Sequence, residues 1–147
     1  MPGEFENMAW YGRGPFESYW DRKTAAFVDV YSGKVAEQYT PYISPQENGN
    51  KTDVRWASWK NNSGAGLLVK GDSLVNVSAH NYQQPDLEKA AHTNEVPVKD
   101  IVEVHIDLQQ MGVGGDTSWG AYTHDPYRLL GNEYAYGFTL LPVSGKD

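Results

Sequence analysis

The stretch Asp53-Val54-Arg55-Trp56-Ala57-Ser58-Trp59-Lys60-Asn61-Asn62-Ser63-Gly64 decides how the rest of the chain is read. A β-strand sends successive side chains to opposite faces. Strict alternation therefore places Val54, Trp56 and Ser58 on one face and Asp53, Arg55, Ala57 and Trp59 on the other. Asn61-Asn62-Ser63-Gly64 carries the residues that close a turn, because short polar side chains and glycine accommodate its backbone. Leu67-Leu68-Val69-Lys70 then reads as the returning strand of a hairpin. A second turn at Gly71-Asp72 and a third strand, Leu74 to Ala79, complete the expectation for this region.

Period-two patterning continues outward in both directions. Upstream, Phe5 to Trp10 reads as a strand, and the apolar run Ala25-Ala26-Phe27-Val28 continues to Tyr31 before a Ser32-Gly33 turn. Downstream, Val102, Val104, Ile106 and Leu108 alternate with Glu103, His105 and Asp107. Near the end, Tyr134, Tyr136, Phe138 and Leu140 share one face. Helical signal is confined to Pro85 to His92, with proline and acids near its start, and to one turn over Phe16 to Asp21. Short strands separated by polar turns define an all-β, antiparallel β-sandwich. Two stretches resist strand assignment, Gln38 to Lys51 and Gln109 to Asp125; ordered loops of such length are functional or packing elements.

At 147 residues the chain has the length of one domain, and 39% hydrophobic against 21% charged residues marks it as globular. A formal net charge of -7 without Lys/Arg clusters excludes a nucleic-acid partner. No apolar run is long enough to span a bilayer, so no membrane partner is expected. Without cysteine there are no disulfides and no thiolate metal sites. The N-terminus, Met1-Pro2-Gly3-Glu4, does not read as a signal peptide. The composition fits a cytoplasmic or a periplasmic protein equally. Five Trp, ten Tyr and four Phe either pack a sheet or offer flat faces to sugar C–H groups.

Candidate chemistry narrows quickly. Met111-Gly112-Val113-Gly114-Gly115-Asp116 has neither the spacing nor the following helix of a dinucleotide site, and no Gly-Lys-Ser/Thr of a phosphate loop. It reads as a tight loop whose glycines adopt positive φ, with Trp119 either brought to the surface or packed in the core. Glycoside hydrolysis needs two carboxylates about 5–5.5 Å apart for retention or about 6.5–9.5 Å for inversion. Glu17, Asp21, Glu47, Glu88, Asp116 and Asp125 are available, but none stands in a setting that marks a raised-pKa acid, and no catalytic residue is assigned. His80, His92, His105 and His124 lack a metal-ligand spacing, and no Gly-x-Ser-x-Gly nucleophile motif occurs. In Trp10-Tyr11-Gly12-Arg13-Gly14-Pro15, Arg13 has Glu17 and Asp21 as possible partners, as does Arg22, and the segment reads as a loop closing one end of the sandwich.

Four stretches, in this order and spacing, resemble the C-terminal, small-chain domain of family 2 β-galactosidases. They are Trp10 to Pro15 with Glu17, Tyr19, Asp21 and Arg22; Tyr39-Thr40-Pro41-Tyr42-Ile43 with Pro45 to Gly49; Asp86-Leu87-Glu88 with His92; and Met111 to Asp116 with Ser118-Trp119. The resemblance implies a galactose-mutarotase-like β-supersandwich, of which residues 1–147 form the second half, with the catalytic (β/α)-barrel elsewhere. It implies a retaining parent enzyme acting on terminal β-D-galactosides through two barrel glutamates that have no counterpart here. It implies that Trp119 forms a platform for the substrate, with Asp116 and Ser118 orienting its loop. Gly120-Ala121-Tyr122-Thr123-His124 after Trp119 departs from the best-known bacterial pattern, which bears on aglycone selectivity. No cofactor is expected in this chain, while the resemblance implies magnesium and sodium in the parent. The partners implied are the β-galactoside and the remaining domains. Uncovered sheet edges and faces also predict self-association of the isolated chain. Two other classes stand beside this reading: a free-standing carbohydrate-binding module, and, by fold analogy alone, a mutarotase-like epimerase, for which no placed His/Glu pair is visible.

Overall fold

A computed structural model describes residues 1–117 and 119–145. Six strands form one antiparallel sheet: β1 (Asn7–Gly14), β2 (Phe27–Lys34), β3 (Lys51–Lys60), β4 (Gly66–His80), β5 (Glu103–Asp107) and β6 (Phe138–Val143). Their order is β2-β1-β3-β4-β5, with β6 also beside β4. The long strand β4 organises the sheet. One edge pairs with β3. The other edge is shared: Gly66–Gly71 pairs with β6, and Asn76–His80 pairs with β5. The one α-helix among the described residues is α1 (Gln84–Lys89), six residues started by Pro85 and by Asp86, whose carboxylate accepts the Gln83 N–H at 2.8 Å. The all-β, antiparallel expectation holds, and the strands join as one layer of a sandwich-like domain would.

The core lies on one sheet face. Met8 and Trp10 from β1, Val54, Ala57 and Trp59 from β3, and Val69, Val75, Val77 and Ala79 from β4 form a single buried cluster with Val35 and Val102. Along the end of β4, Asn76, Ser78 and His80 alternate with these apolar residues and are also buried. Their face is covered by polar loops. Ser18 Oγ and Thr52 Oγ1 lie 2.8 Å apart, Asn50 donates to the Ser18 carbonyl at 2.8 Å, and His80 Nε2 lies 2.9 Å from the Asn48 carbonyl. Residues 38–50 thus form the polar lid of this half of the sheet; its hydrogen bonds meet His80 and the Asn50 amide N–H, while Ser78 Oγ and Asn50 Oδ1 are buried without a partner.

Several local expectations need correction. Strict alternation fails in β3, where the register shifts between Lys51 and Val54 and again between Val54 and Trp56. Asp53 sits there at φ 54°, and the extra residue turns Val54 onto the same face as Ala57 and Trp59. Gly71-Asp72 is no reversal: β4 runs through it, and six residues of β4 (Lys70 to Val75) span three of β3 (Trp56 to Val54). Ser32-Gly33 lies within β2, paired with Ala9 and Met8. Tyr11 to Gly14, read as loop, continues β1. Phe16 to Asp21 forms no helical turn; Tyr19 and Arg22 close a tight reversal by exchanging backbone hydrogen bonds at 3.1 and 2.9 Å. Tyr134 and Tyr136 precede β6 rather than extend it.

Candidate functional site

The loop between β5 and the 3₁₀ turn at Asp125–Tyr127 carries the expected site residues. No regular element occupies its described part, so its shape depends on side-chain clamps. The main clamp is Asp21, presented by the Tyr19–Arg22 reversal. Its carboxylate accepts the Val113 N–H at 3.0 Å, the Gly114 N–H at 2.8 Å and the Thr123 hydroxyl at 3.2 Å. Burial pushes the Asp21 carboxyl up, but the Gly114 and Val113 N–H groups, with Thr123, outweigh it and hold the group below the usual carboxylate range.

Further contacts frame the loop. Gly112 N–H donates to the Tyr127 carbonyl at 2.8 Å, and Tyr127 meets the Trp20 ring edge-on at 6.1 Å between centroids. The Arg128 guanidinium lies 4.9 Å from the Tyr122 ring centroid. Asp116 is exposed and pairs with His124 Nε2 at 2.8 Å, bridging the two sides of the loop. Trp119 stands between them at 91% exposure. Its position decides between the two readings of the sequence: this tryptophan is on the surface. Keeping such a ring in water forgoes burial on the order of 2–3 kcal/mol. Ser118, the third expected residue, lies outside the described residues.

The loop glycines serve differently from expectation. Among them only Gly120 has positive φ, at 84°, immediately after Trp119. Gly112 and Gly114 instead allow close approach: a Cβ on either would lie 2.6 or 2.9 Å from the Asp21 carboxylate. Arg13 pairs with Asp53 at 2.5 Å rather than with Glu17 or Asp21, and Arg22 pairs with Glu17 at 2.9 Å.

The remaining acids are dispersed. Glu17 is buried and holds the Gly49 N–H at 2.9 Å, Arg22 and the Tyr42 hydroxyl. Burial raises its carboxyl, but the bonds from Tyr42, Gly49 and Arg22 bring it below the ordinary value. Glu88 is exposed on α1, and Asp125 pairs with Arg128 at 2.9 Å. Glu47 is the exception to the sequence reading, since burial raises its carboxyl above the usual range. It lines an open cleft of about 460 Å³ with Tyr19, Arg22, Tyr42, Val113 and Gly114, beside the stem of the Trp119 loop. His92 and His105 pair with Glu95 and Glu103, whereas His80 is buried against Tyr82, stacked at 4.6 Å. Among the described residues no three His, Asp or Glu side chains are grouped to hold a metal ion.

The described residues thus give an all-β chain with an exposed tryptophan on a clamped loop. Comparison with known proteins makes the class specific. A profile of the β-galactosidase small chain matches residues 1–140. A β-galactosidase of Priestia megaterium is 49% identical over 144 residues, covering 97% of this chain and 14% of that protein. One from Pseudoalteromonas haloplanktis is 47% identical over 131 residues, covering 89% and 12%. One from Photobacterium profundum is 37% identical over 142 residues, covering 97% and 13%. The chain belongs to the β-galactosidase small chain family. It spans only 12–14% of the length of these relatives.

Proposed function

We propose that the chain is the second half of the C-terminal β-supersandwich domain of a family 2 β-galactosidase that hydrolyses terminal β-D-galactosides with retention. The catalytic glutamates then belong to the rest of the enzyme, and this chain contributes Trp119 as an aromatic platform at the mouth of the site. One observation carries the reading: Trp119 is held out at 91% exposure on a loop tied down at both stems. A loop free to collapse would bury the ring; a clamped one keeps its face available to sugar C–H groups at little further ordering cost. Asp116, through His124, braces the same loop, and Ser118 is proposed to do so beside Trp119. The isolated chain is proposed to be inactive: Glu17, Asp21 and Asp116 are spent on Arg22, Tyr42, backbone N–H groups and His124, which leaves Glu47 with a raised carboxyl in the cleft, and glycoside hydrolysis needs a pair.

The test compares the intact enzyme carrying this segment with its Trp119→Ala variant on lactose and a nitrophenyl β-galactoside, with the 147-residue chain alone as control. The chain is expected to leave the chromogenic substrate colourless, and Trp119→Ala is expected to raise KM more than it lowers kcat. A second reading, a carbohydrate-binding module acting alone, is favoured by the joint exposure of Trp119 and Tyr122. It requires calorimetric heat from galactose or lactose on the isolated chain that vanishes in Trp119→Ala.

A further inference from the structure

We infer that Asp21 is the positioning residue of the Trp119 loop: one carboxylate, supplied from about a hundred residues away, sets where the aromatic platform stands. This rests on the proposed role of Trp119. The geometry is specific. Val113 and Gly114 are on the ascending stem and Thr123 on the descending one, and Asp21 accepts from all three. Oδ2 alone takes both Gly114 N–H and Thr123 Oγ1, so the two stems are joined through one atom. Gly112 and Gly114 leave room for that carboxylate and for no side chain of their own. Asp21 itself is fixed by the Tyr19–Arg22 reversal, whose Tyr19 is buried. Hydrogen bonds to a carboxylate are worth more than neutral ones, and Asp21 is the acceptor that meets both backbone N–H groups on an irregular stem. Its role is to act through Trp119.

Two measurements test this. The chain is labelled with 5-fluorotryptophan, and the Trp119 resonance is assigned by Trp119→Phe. In Asp21→Asn an amide N–H₂ replaces one acceptor oxygen opposite the loop donors. The Trp119 line is expected to narrow roughly twofold as the loop gains local motion, while the fully buried Trp10 and Trp59 hold their lines. Thr123→Val, which keeps the carboxylate and removes only the descending-stem contact, should narrow it less and guards against a fold defect in the first variant. In the intact enzyme, Asp21→Asn is expected to raise KM about 3–10-fold with a smaller change in kcat, and to add nothing on a Trp119→Ala background. An unchanged Trp119 line in Asp21→Asn with Trp10 and Trp59 intact, or full additivity of the two substitutions, overturns the inference. If Trp119→Ala leaves KM unchanged while the line still narrows, the clamp stands and the platform reading fails.

Discussion

His80 shows what a single buried side chain imposes. It is stacked on Tyr82 and tied to the Asn48 carbonyl, with Tyr39 edge-on at 6.4 Å. Burial, reinforced by the nearby positive charges of His105 and Lys51, lowers its pKa to about 4. The unfolded chain returns it to about 6.5. Between these values the unfolded state binds the extra proton, so stability rises with pH across the window and is lost as pH falls from 6.5 toward 4. The loss approaches roughly 3 kcal/mol once both states are considered. Urea unfolding at pH 7, 5.5 and 4.5 is expected to show this slope in the native chain and a flatter one in His80→Gln, whose amide still reaches Asn48. An identical slope in both proteins would remove His80 from the explanation. None of this was legible in the sequence, where His80 is one of four histidines without a metal spacing; its burial comes from the polar lid, which brings residues 38–50 over a strand distant in sequence. Gly112 and Gly114 were misread for a similar reason, because glycine's need for space beside Asp21 leaves the same letter as a need for positive φ.

At the scale of elements, alternation located the strands but not their irregularities. Trp10, Trp59, Val75 and Val77 are core residues on strands that the period-two pattern finds. An inserted residue breaks that period without changing composition, and so the bulge at Asp53 was invisible. Its structural support is plain once folded. Asp53 lies at φ 54°, a region costly for side chains with a Cβ, and its carboxylate pairs with Arg13 at 2.5 Å and Lys23 at 2.9 Å. Burial raises the Asp53 carboxyl, but Arg13 and Lys23 more than reverse this. Asp53→Ala leaves both cations half-buried without their partner and keeps the strained backbone. It is expected to destabilise the chain by roughly 3 kcal/mol in chemical denaturation, with Asp53→Asn intermediate. A change under about 0.5 kcal/mol in Asp53→Ala would show that the bulge holds itself without the ion pairs. Turn-forming residues are misleading in two ways here: at Gly71-Asp72 they mark irregular backbone that a strand paired on both sides absorbs, and at Ser32-Gly33 regular pairing with β1 alone keeps the chain extended.

For the whole molecule, what the sheet leaves uncovered matters most. Phe27, Val28 and Val30 are exposed on β2, which pairs only with β1. Phe138, Leu140 and Leu141 are exposed on β6, and a groove of about 480 Å³ lined by Met1, Leu67, Ile101, Val104, Phe138 and Leu140 runs between β6 and β5. Such surfaces are ordinarily interfaces. In an enzyme several times longer than this chain, other domains are proposed to cover them. In the isolated chain, self-association is expected, with sedimentation showing dimers or larger species that dissociate on dilution. A concentration-independent monomer with high thermal stability would contradict it.

Trp119 is proposed as this chain's contact with the galactoside. The direct measurement is steady-state kinetics of the intact enzyme carrying this segment, with and without Trp119→Ala, on lactose. The prediction is a KM raised by about tenfold with kcat changed far less, the signature of an interaction made on initial binding. An unchanged KM in a folded Trp119→Ala enzyme would contradict it.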